Sequence, residues 1–188
     1  MVENAKSARA FLGALGMPVR DLVIEEVGDN RLGGDDIGLL SEAGCPAIAD
    51  PGAKLIEAAH AAGYKVVPLV GPSSIVMALM ASGLEGQRFA FCGYLPRDAA
   101  ERKTAIQKLE RRSRSEKETE IFIETPYRND AMLAALLETC TASTRLCVAA
   151  DLTLPTESIR TRTVGEWQKA PFQLGKRPAV FLLLAQDR

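Results

Sequence analysis

Apolar residues along this chain come in short bursts punctuated by glycine and proline, and their spacing switches between two periods. Ile37 to Leu40 reads as a short strand, followed by a Gly/Pro turn from Gly44 to Gly52. From Ala53 to Ala62, Leu55, Ala59 and Ala62 recur at i, i+4 and i+7 while Lys54, Glu57 and Ala61 lie on the other side, which predicts a helix stopped by Gly63. Lys65 to Val70 is apolar and β-branched on successive positions, the pattern of a strand buried on both faces. Gly71-Pro72 breaks it, and Ser73 or Ser74 caps an apolar helix that runs through Ile75, Met77, Leu79 and Met80 to Gly83. Strand and helix alternate, which predicts a mostly parallel sheet with helices on its faces.

A second cycle begins at Arg88. The pattern predicts a strand from Phe89 to Gly93, the turn Leu95-Pro96-Arg97, a highly charged helix from about Asp98 to Glu116, and a strand from Glu120 to Glu124. A helix from Tyr127 to Cys140, a strand from Leu146 to Ala150, a polar strand from Ser158 to Val164 and a final strand from Ala179 to Leu184 complete it. This half has more strands per helix than the first. Two glycines and polar residues between Gly83 and Gln87 interrupt the apolar pattern, so the expected division is an incomplete N-terminal α/β domain over 1–86 and a C-terminal α/β domain over 87–188.

Composition narrows the picture mainly by exclusion. A chain of 188 residues, 47% hydrophobic and 25% charged, is an ordinary globular protein of one large or two small domains. With a formal net charge of −1 it carries no global positive field for nucleic acid or anionic membrane, so any RNA contact must come from a local patch. Its longest apolar runs, such as Ala179 to Ala185, fall well short of the roughly 20 residues needed to span a bilayer. Met1 to Arg9 does not read as a secretory signal. Cys45, Cys92, Cys140 and Cys147 lack metal or redox spacing and read as reduced, buried thiols. The expectation is a cytoplasmic protein with no membrane segment and no metal site. His60, on a surface helix, is expected to face solvent.

Two loops then stand out. Ser41 to Gly52 joins the end of a strand to the start of a helix, at the carboxyl end of a strand where open α/β sheets bind ligands. Small residues such as Ala43, Gly44 and Ala47 allow close backbone approach, and two prolines fix the loop; a tight connection without any ligand accounts for the composition as well. Val70 to Ile75 leads into an apolar helix and reads by itself as a turn plus an N-cap.

Taken in order, S-E-A-G-C-P-A-I-A-D-P-G (41–52), G-P-S-S-I-V-M-A-L-M-A-S-G-L (71–84), F-A-F-C-G-Y-L-P-R (89–97) and I-E-T-P-Y-R (123–128) resemble the motif set of the tetrapyrrole methylase superfamily. The similarity is greatest to its branch of small-subunit ribosomal RNA cytidine 2′-O-methyltransferases, and it runs from about Asp36 to Leu184. The resemblance implies two α/β domains with S-adenosyl-L-methionine in a cleft between them, and a homodimer. Carried over by motif, the cofactor contacts would be Cys45 and Ile48 from the first loop, Ser73, Ser74 and Ile75 from the second, Thr125 and Pro126, and Pro178 and Ala179 from the turn opened by Arg177.

Relatives of this kind begin with a glycine-containing strand and loop that has no counterpart ahead of Met1, and Glu3 to Leu12 looks like the family's next helix. A helix is also expected between Glu26 and Asp36, where Gly28 to Gly34 stands. On the substrate side, Asp151, Thr153 and Glu157 match the ribosomal RNA branch, but Ala149 and Leu154 replace an arginine and a lysine.

Methyl transfer from a sulfonium is an in-line displacement that needs neither a metal nor a covalent enzyme intermediate, so positioning supplies most of the acceleration. Glu124 and Glu157 are the carboxylates that motif places to take a proton from a ribose hydroxyl, although Glu124 could instead pair with Arg128 and order its loop. Arg97 and Arg128 are candidates for substrate phosphate. The charge run from Arg97 to Lys117 reads first as a solvated helix face with i,i+4 pairs and second as an RNA-facing patch. The enzyme expected is a methyltransferase acting on ribosomal RNA; the alternatives are a tetrapyrrole or other small-molecule acceptor, or a nonenzymatic dimeric binding relative.

Overall fold

Alternation along the last strand organises the second half of the molecule. In Ala179-Val180-Phe181-Leu182-Leu183-Leu184, Phe181 and Leu183 join one apolar cluster while Val180 and Leu182 join another, so the strand is buried on both faces. The computed structural model describes residues 1–28, 36–170 and 172–185. The chain divides into two compact units, Met1–Ser73 and Ser74–Arg188.

Unit 2 contains helix α3 (Ser74–Ser82), strand β1 (Phe89–Tyr94), helix α4 (Ala99–Glu116), strand β2 (Thr119–Glu124), helix α5 (Asn129–Thr139), strands β3 (Arg145–Ala150) and β4 (Ser158–Thr163), helix α6 (Val164–Lys169) and strand β5 (Ala179–Leu184). These strands form a sheet of order β1-β2-β5-β3-β4. Only β1 and β2 pair in parallel; β5 is antiparallel to both β2 and β3, and β4 is antiparallel to β3. The sheet of unit 2 is therefore mixed. The reason lies in the connections: β1-α4-β2 is a helical crossover, whereas β3 and β4 are joined by a short loop that can only return the chain antiparallel.

One face is covered by α4, α5 and α6 through Ile106, Leu109, Met132, Leu136 and Trp167, which pack on Phe122, Leu146 and Phe181. Ile75, Ala78 and Leu79 of α3 cover the other, against Ile121, Cys147, Ala149 and Leu182. Helix α3 belongs to unit 2 for this reason, and the compact units divide at Ser73/Ser74, earlier than the boundary expected after residue 86. Glycines and polar residues mark a loop, but a helix joins whichever sheet buries its apolar stripe. Phe122 and Phe181 are register partners whose rings stack at 5.7 Å, and Trp167 donates its indole N–H to the Leu146 carbonyl at 2.9 Å.

Helix α4 starts at its expected place because the Asp98 carboxylate accepts from the backbone N–H of Ala100 and Glu101 at 2.9 and 3.0 Å. Arg112 ties it to β2 by pairing with Glu120, whose side chain is fully enclosed. Cys92 lies against the same carboxylate, and its thiol is pushed up to about 11, chiefly by burial and then by Glu120. Cys140 and Cys147 are buried, whereas Cys45 and Cys92 are only half-buried.

Unit 1 holds helices α1 (Ala5–Ala14) and α2 (Ala53–Ala61). Asn4 caps α1 through bonds from the N–H of Lys6 and Ser7. Buried Val2 makes single parallel bridges to Glu26 and to Leu40, the one paired position of the strand expected over Ile37 to Leu40. The strand expected over Lys65 to Val70, buried on both faces, is not found: among the described residues it joins no ladder, and Leu69 is 86% exposed. Such a strand needs hydrogen-bonding neighbours, and the described residues of unit 1 supply only the two bridges around Val2. Most of the stretch in which a further helix was expected, 29–35, lies outside the described residues.

Phe122→Ala should cost roughly 3–5 kcal/mol in chemical denaturation, because it empties a fully buried position whose partner ring is held in register on the next strand.

Candidate active site

In unit 1 the two loops singled out by the sequence meet. The Cys45 thiol lies 3.4 Å from the Pro72 carbonyl and 3.7 Å from that of Gly71. Between Gly44 and Gly52 the backbone enters the left-handed region four times, at Gly44 (φ 75°), Ala47 (65°), Ala49 (63°) and Gly52 (134°). Alanine has no local hydrogen bond to offset that conformation, so two such residues in one loop store strain that the surrounding structure must hold. Ile48, between them, is half exposed. Gly52 cannot be replaced cheaply, since its φ of 134° is one that residues with a Cβ rarely adopt; a Cβ there would also stand 2.7 Å from Leu39 Cδ2 and push that side-chain end aside.

Beside this loop, an open cleft of about 460 Å³ is lined by Val2, Ser7, Phe11, Leu40, Glu42 and Gly44 among others. Ser7 donates to Glu42 at 2.5 Å, and the Glu42 N–H donates to Glu3 at 3.1 Å. Asp50 is raised above the ordinary carboxyl range by burial first and then by the neighbouring Glu3 carboxylate.

In unit 2 the register gathers most of the remaining candidates at one end of the sheet. Glu124 of β2 pairs with Ala179 of β5, Ala179 with Ala150 of β3, and Ala150 with Ser158 of β4. Tyr94 ends β1 beside Ile123. The segments 95–98, 125–128, 151–157 and 176–178 therefore all leave from the same end, and with them Arg97, Thr125, Pro126, Arg128, Glu157 and Pro178. Helix α3 is fastened at its far end, where Thr161 donates to the Ser82 carbonyl and Arg145 to that of Gly83, so its N-terminal Ser74 points toward this same end. Ser74 is exposed and Ser73 half-buried, but Ile75 is buried in the core.

Glu124 is fully enclosed, and one of its oxygens accepts from the Thr125 N–H (2.6 Å), the Thr125 hydroxyl (3.2 Å) and the Arg128 Nε and Nη2 (3.0 and 2.5 Å). That arrangement orders the turn, a 3₁₀ segment over Pro126–Arg128, while Glu124 Oε2 and Arg128 Nη1 are buried and have no partner among the described residues. Glu157 is exposed and accepts from the Thr153 N–H at 2.8 Å. Arg97 is also exposed.

Arg177 links the loops. Its carbonyl accepts from Asn129 Nδ2 at 2.6 Å, its Nε donates to Asp151 at 2.7 Å, and its Nη2 donates to the Thr156 carbonyl at 2.5 Å. The Asp151 N–H returns a bond to the Pro178 carbonyl at 2.9 Å. Asp151 (φ 52°) and Thr153 (φ 70°) both take left-handed backbone, so the loop after β3 is held in shape against its own preference. Asn129 escapes detection in the sequence because a polar residue opening a helix reads as a cap; its complete burial is a tertiary fact. Tyr127, exposed on the same turn, also escapes it.

Three cations of the charge run on α4 are paired with carboxylates. Arg112 engages Glu118 and Glu120, Lys103 engages Glu138, and Arg114 engages Glu110. Arg97, Lys108, Arg111 and Lys117 of the same run are exposed.

The model of the tetrapyrrole (corrin/porphyrin) methylases matches residues 7–168. The chain belongs to the tetrapyrrole methylase family. Within it, the ribosomal RNA small subunit methyltransferase I of Pseudomonas aeruginosa is 38% identical over 134 residues, 71% of this chain and 46% of that protein. The protein of the same name from Neisseria meningitidis serogroup B is 33% identical over 177 residues, 89% of this chain and 59% of its own length. The chain thus spans about half the length of the curated relatives it matches. Among solved structures, the methyltransferase CobJ shares the fold with a TM-score of 0.53 at 19% identity, over 78% of this chain and 64% of that one.

Two substitutions probe the site's scaffolding. Gly52→Ala should destabilise unit 1 by roughly 1–3 kcal/mol, since it combines a positive φ with a clash on Leu39, and limited proteolysis of the Leu39–Gly52 loop should register it. Asp151 is held below its ordinary value of 3.8, first by the Arg177 hydrogen bond and then by Thr156, with burial opposing. A depressed folded value means the stabilisation is complete above about pH 3.8 and is lost as pH falls through the lower folded value. The gap in urea midpoint between the parent and Asp151→Asn should therefore be constant from neutral pH down to that point and close below it.

Proposed function

We propose that this chain is part of an S-adenosylmethionine-dependent methyltransferase that modifies a ribose hydroxyl of small-subunit ribosomal RNA, as a cytoplasmic homodimer. The observation that carries the reading is the named similarity: proteins called ribosomal RNA small subunit methyltransferase I match 71–89% of the chain at 33–38% identity. The sheet end of unit 2 supports it, since four segments carrying the family's motif residues leave from one place.

The residues there suit a cofactor recognised by backbone and small side chains. Thr125 and Pro126 sit on a turn ordered by Glu124, and Pro178 and Ala179 on a turn held by Asn129 and Asp151, so their backbone groups are oriented before any ligand arrives. Ser74 and Ile75 open α3, and in unit 1 Cys45, Ile48 and Ser73 are proposed as further cofactor contacts. S-adenosylmethionine, when bound, supplies an electrophilic methyl group on a sulfonium. Rigid placement is the contribution expected of the chain, with oriented reactions worth up to roughly 7–11 kcal/mol.

Of the two carboxylates, Glu157 is the proposed proton acceptor for the attacking hydroxyl, because it is exposed and anchored by a single N–H. Glu124 acts as a positioning residue through Arg128, and Arg97 is the exposed cation proposed for a substrate phosphate. With a formal net charge of −1, and with Ala149 and Leu154 standing where the resemblance expects an arginine and a lysine, phosphate contacts are expected to be few.

Calorimetry with S-adenosylhomocysteine should show binding that Ser74→Trp abolishes without lowering the unfolding temperature, because Ser74 is exposed. Unchanged binding in that variant would remove the cofactor assignment. Binding of small-subunit ribosomal RNA fragments should show a shallower salt dependence than the roughly 10³–10⁵ loss typical of six to ten phosphate contacts, and Arg97→Ala should weaken it across sequences without changing cofactor affinity. Tight cofactor binding with no RNA binding at low salt would point to a small-molecule acceptor.

A further inference from the structure

One aromatic ring at the sheet end, that of Tyr127, stands largely outside the packing. Along Glu124-Thr125-Pro126-Tyr127-Arg128-Asn129, Glu124 and Asn129 are buried and Thr125, Pro126 and Arg128 half-buried, while Tyr127 alone is exposed, at 80%. A solitary surface tyrosine is unremarkable in itself. The backbone that carries this one is not. Pro126 restricts the turn from one side, the Arg128 N–H closes it on the Thr125 carbonyl at 2.9 Å, and the Arg128 guanidinium is drawn to enclosed Glu124. Asn129 then fastens the next residue to the Arg177 carbonyl at 2.6 Å. Every neighbour is tied inward, so the ring is presented on a rigid support.

A cation from the other braced turn stands over it. Lys176 Nζ lies 5.0 Å from the Tyr127 ring centroid, and Lys176 itself is exposed and adjoins Arg177. Ring and ammonium therefore come from two segments that the Asn129 bond holds together, at the end of the sheet that carries Thr125, Pro126, Pro178 and Ala179. An exposed aromatic beside a positive charge is the elementary unit by which proteins hold single-stranded nucleic acid: the ring stacks on a base and the cation meets the backbone phosphate. A rigid ring does so with little loss of side-chain entropy.

We propose that Tyr127 and Lys176 form a stacking platform for an unpaired base of the acceptor RNA, with Lys176 contacting a phosphate of the same segment. The inference rests on the reading of the protein as an RNA methyltransferase and adds a substrate-binding residue to it. The aromatic face, not the hydroxyl, is the recognising element, so any of the four bases is accepted. Sequence choice comes from elsewhere.

The test is fluorescence-anisotropy binding of a labelled single-stranded oligoribonucleotide taken from small-subunit ribosomal RNA, with S-adenosylhomocysteine present and salt varied. Tyr127→Ala should weaken binding about 5- to 150-fold, the loss of one base–aromatic stack, with an unchanged salt slope. Tyr127→Phe should bind like the parent. Lys176→Ala should flatten the slope by about 0.7, the release of one counterion from a single strand. An abasic oligomer of the same length should bind the parent and Tyr127→Ala equally. S-adenosylhomocysteine affinity and unfolding temperature should be the same in all the variants.

Parent-like RNA binding by Tyr127→Ala, or an equal loss in Tyr127→Phe, would overturn the platform while leaving the methyltransferase reading intact. A Tyr127→Ala protein that changes its oligomeric state or loses cofactor affinity would also overturn it, by assigning the ring to an interface or to the turn. A parent that binds S-adenosylhomocysteine but no RNA would sink the RNA reading and the platform together.

Discussion

The insertion of β5 between β2 and β3 is the constraint on which the rest of unit 2 depends. Because it runs antiparallel to both, its first residue, Ala179, stands between the last residues of its neighbours, Glu124 and Ala150. A strand that entered parallel would have brought its approach segment, Lys176 to Pro178, to the opposite end of the sheet. As built, the approach to β5 emerges beside the exits of β2 and β3, close enough for Asn129 and Asp151 to reach Arg177 from either side. Four short hydrogen bonds then convert three separate loops into one braced surface.

Buried charge maintains that surface. Glu120 and Glu124 lie on the same strand, both fully enclosed and each paired with an arginine from the adjoining helix or turn. In a low-dielectric interior an enclosed carboxylate without its partner is costly, so each pair constrains geometry whether or not it adds net stability. Glu120 and Arg112 lock α4 to the sheet, and Glu124 and Arg128 lock the turn that carries Thr125 and Pro126. Among the residues that face outward at the sheet end are Arg97, Glu157, and Tyr127 with its lysine.

Unit 1 holds its loop by different means. Among the described residues no enclosed ion pair supports the segment from Gly44 to Gly52; the Cys45 thiol beside the Pro72 carbonyl and Gly52 packed against Leu39 hold it instead. Backbone strain is tolerated where surrounding contacts over-determine the conformation; Ala47 and Ala49 carry it here, whereas Gly44 and Gly52 adopt positive φ without steric cost.

Much of this was legible in the sequence. Helices α3, α4 and α5 and the strands flanking them follow from periodicity, and the family from four ordered motifs, because each of these depends on residues near one another in the chain; the six-residue α6 is too short for its period to be read. Three features were not. The direction in which β5 enters the sheet depends on which strands remain unpaired when it arrives, the allegiance of α3 depends on which sheet offers an apolar face, and the exposure of Lys65 to Val70 depends on whether neighbouring strands exist to flank it. The same limit applies within the site. The motif I-E-T-P-Y-R identified the turn, but only the fold buries Glu124 and Asn129 and leaves Tyr127 outside, since burial is set by what packs from distant parts of the chain and no local pattern records it.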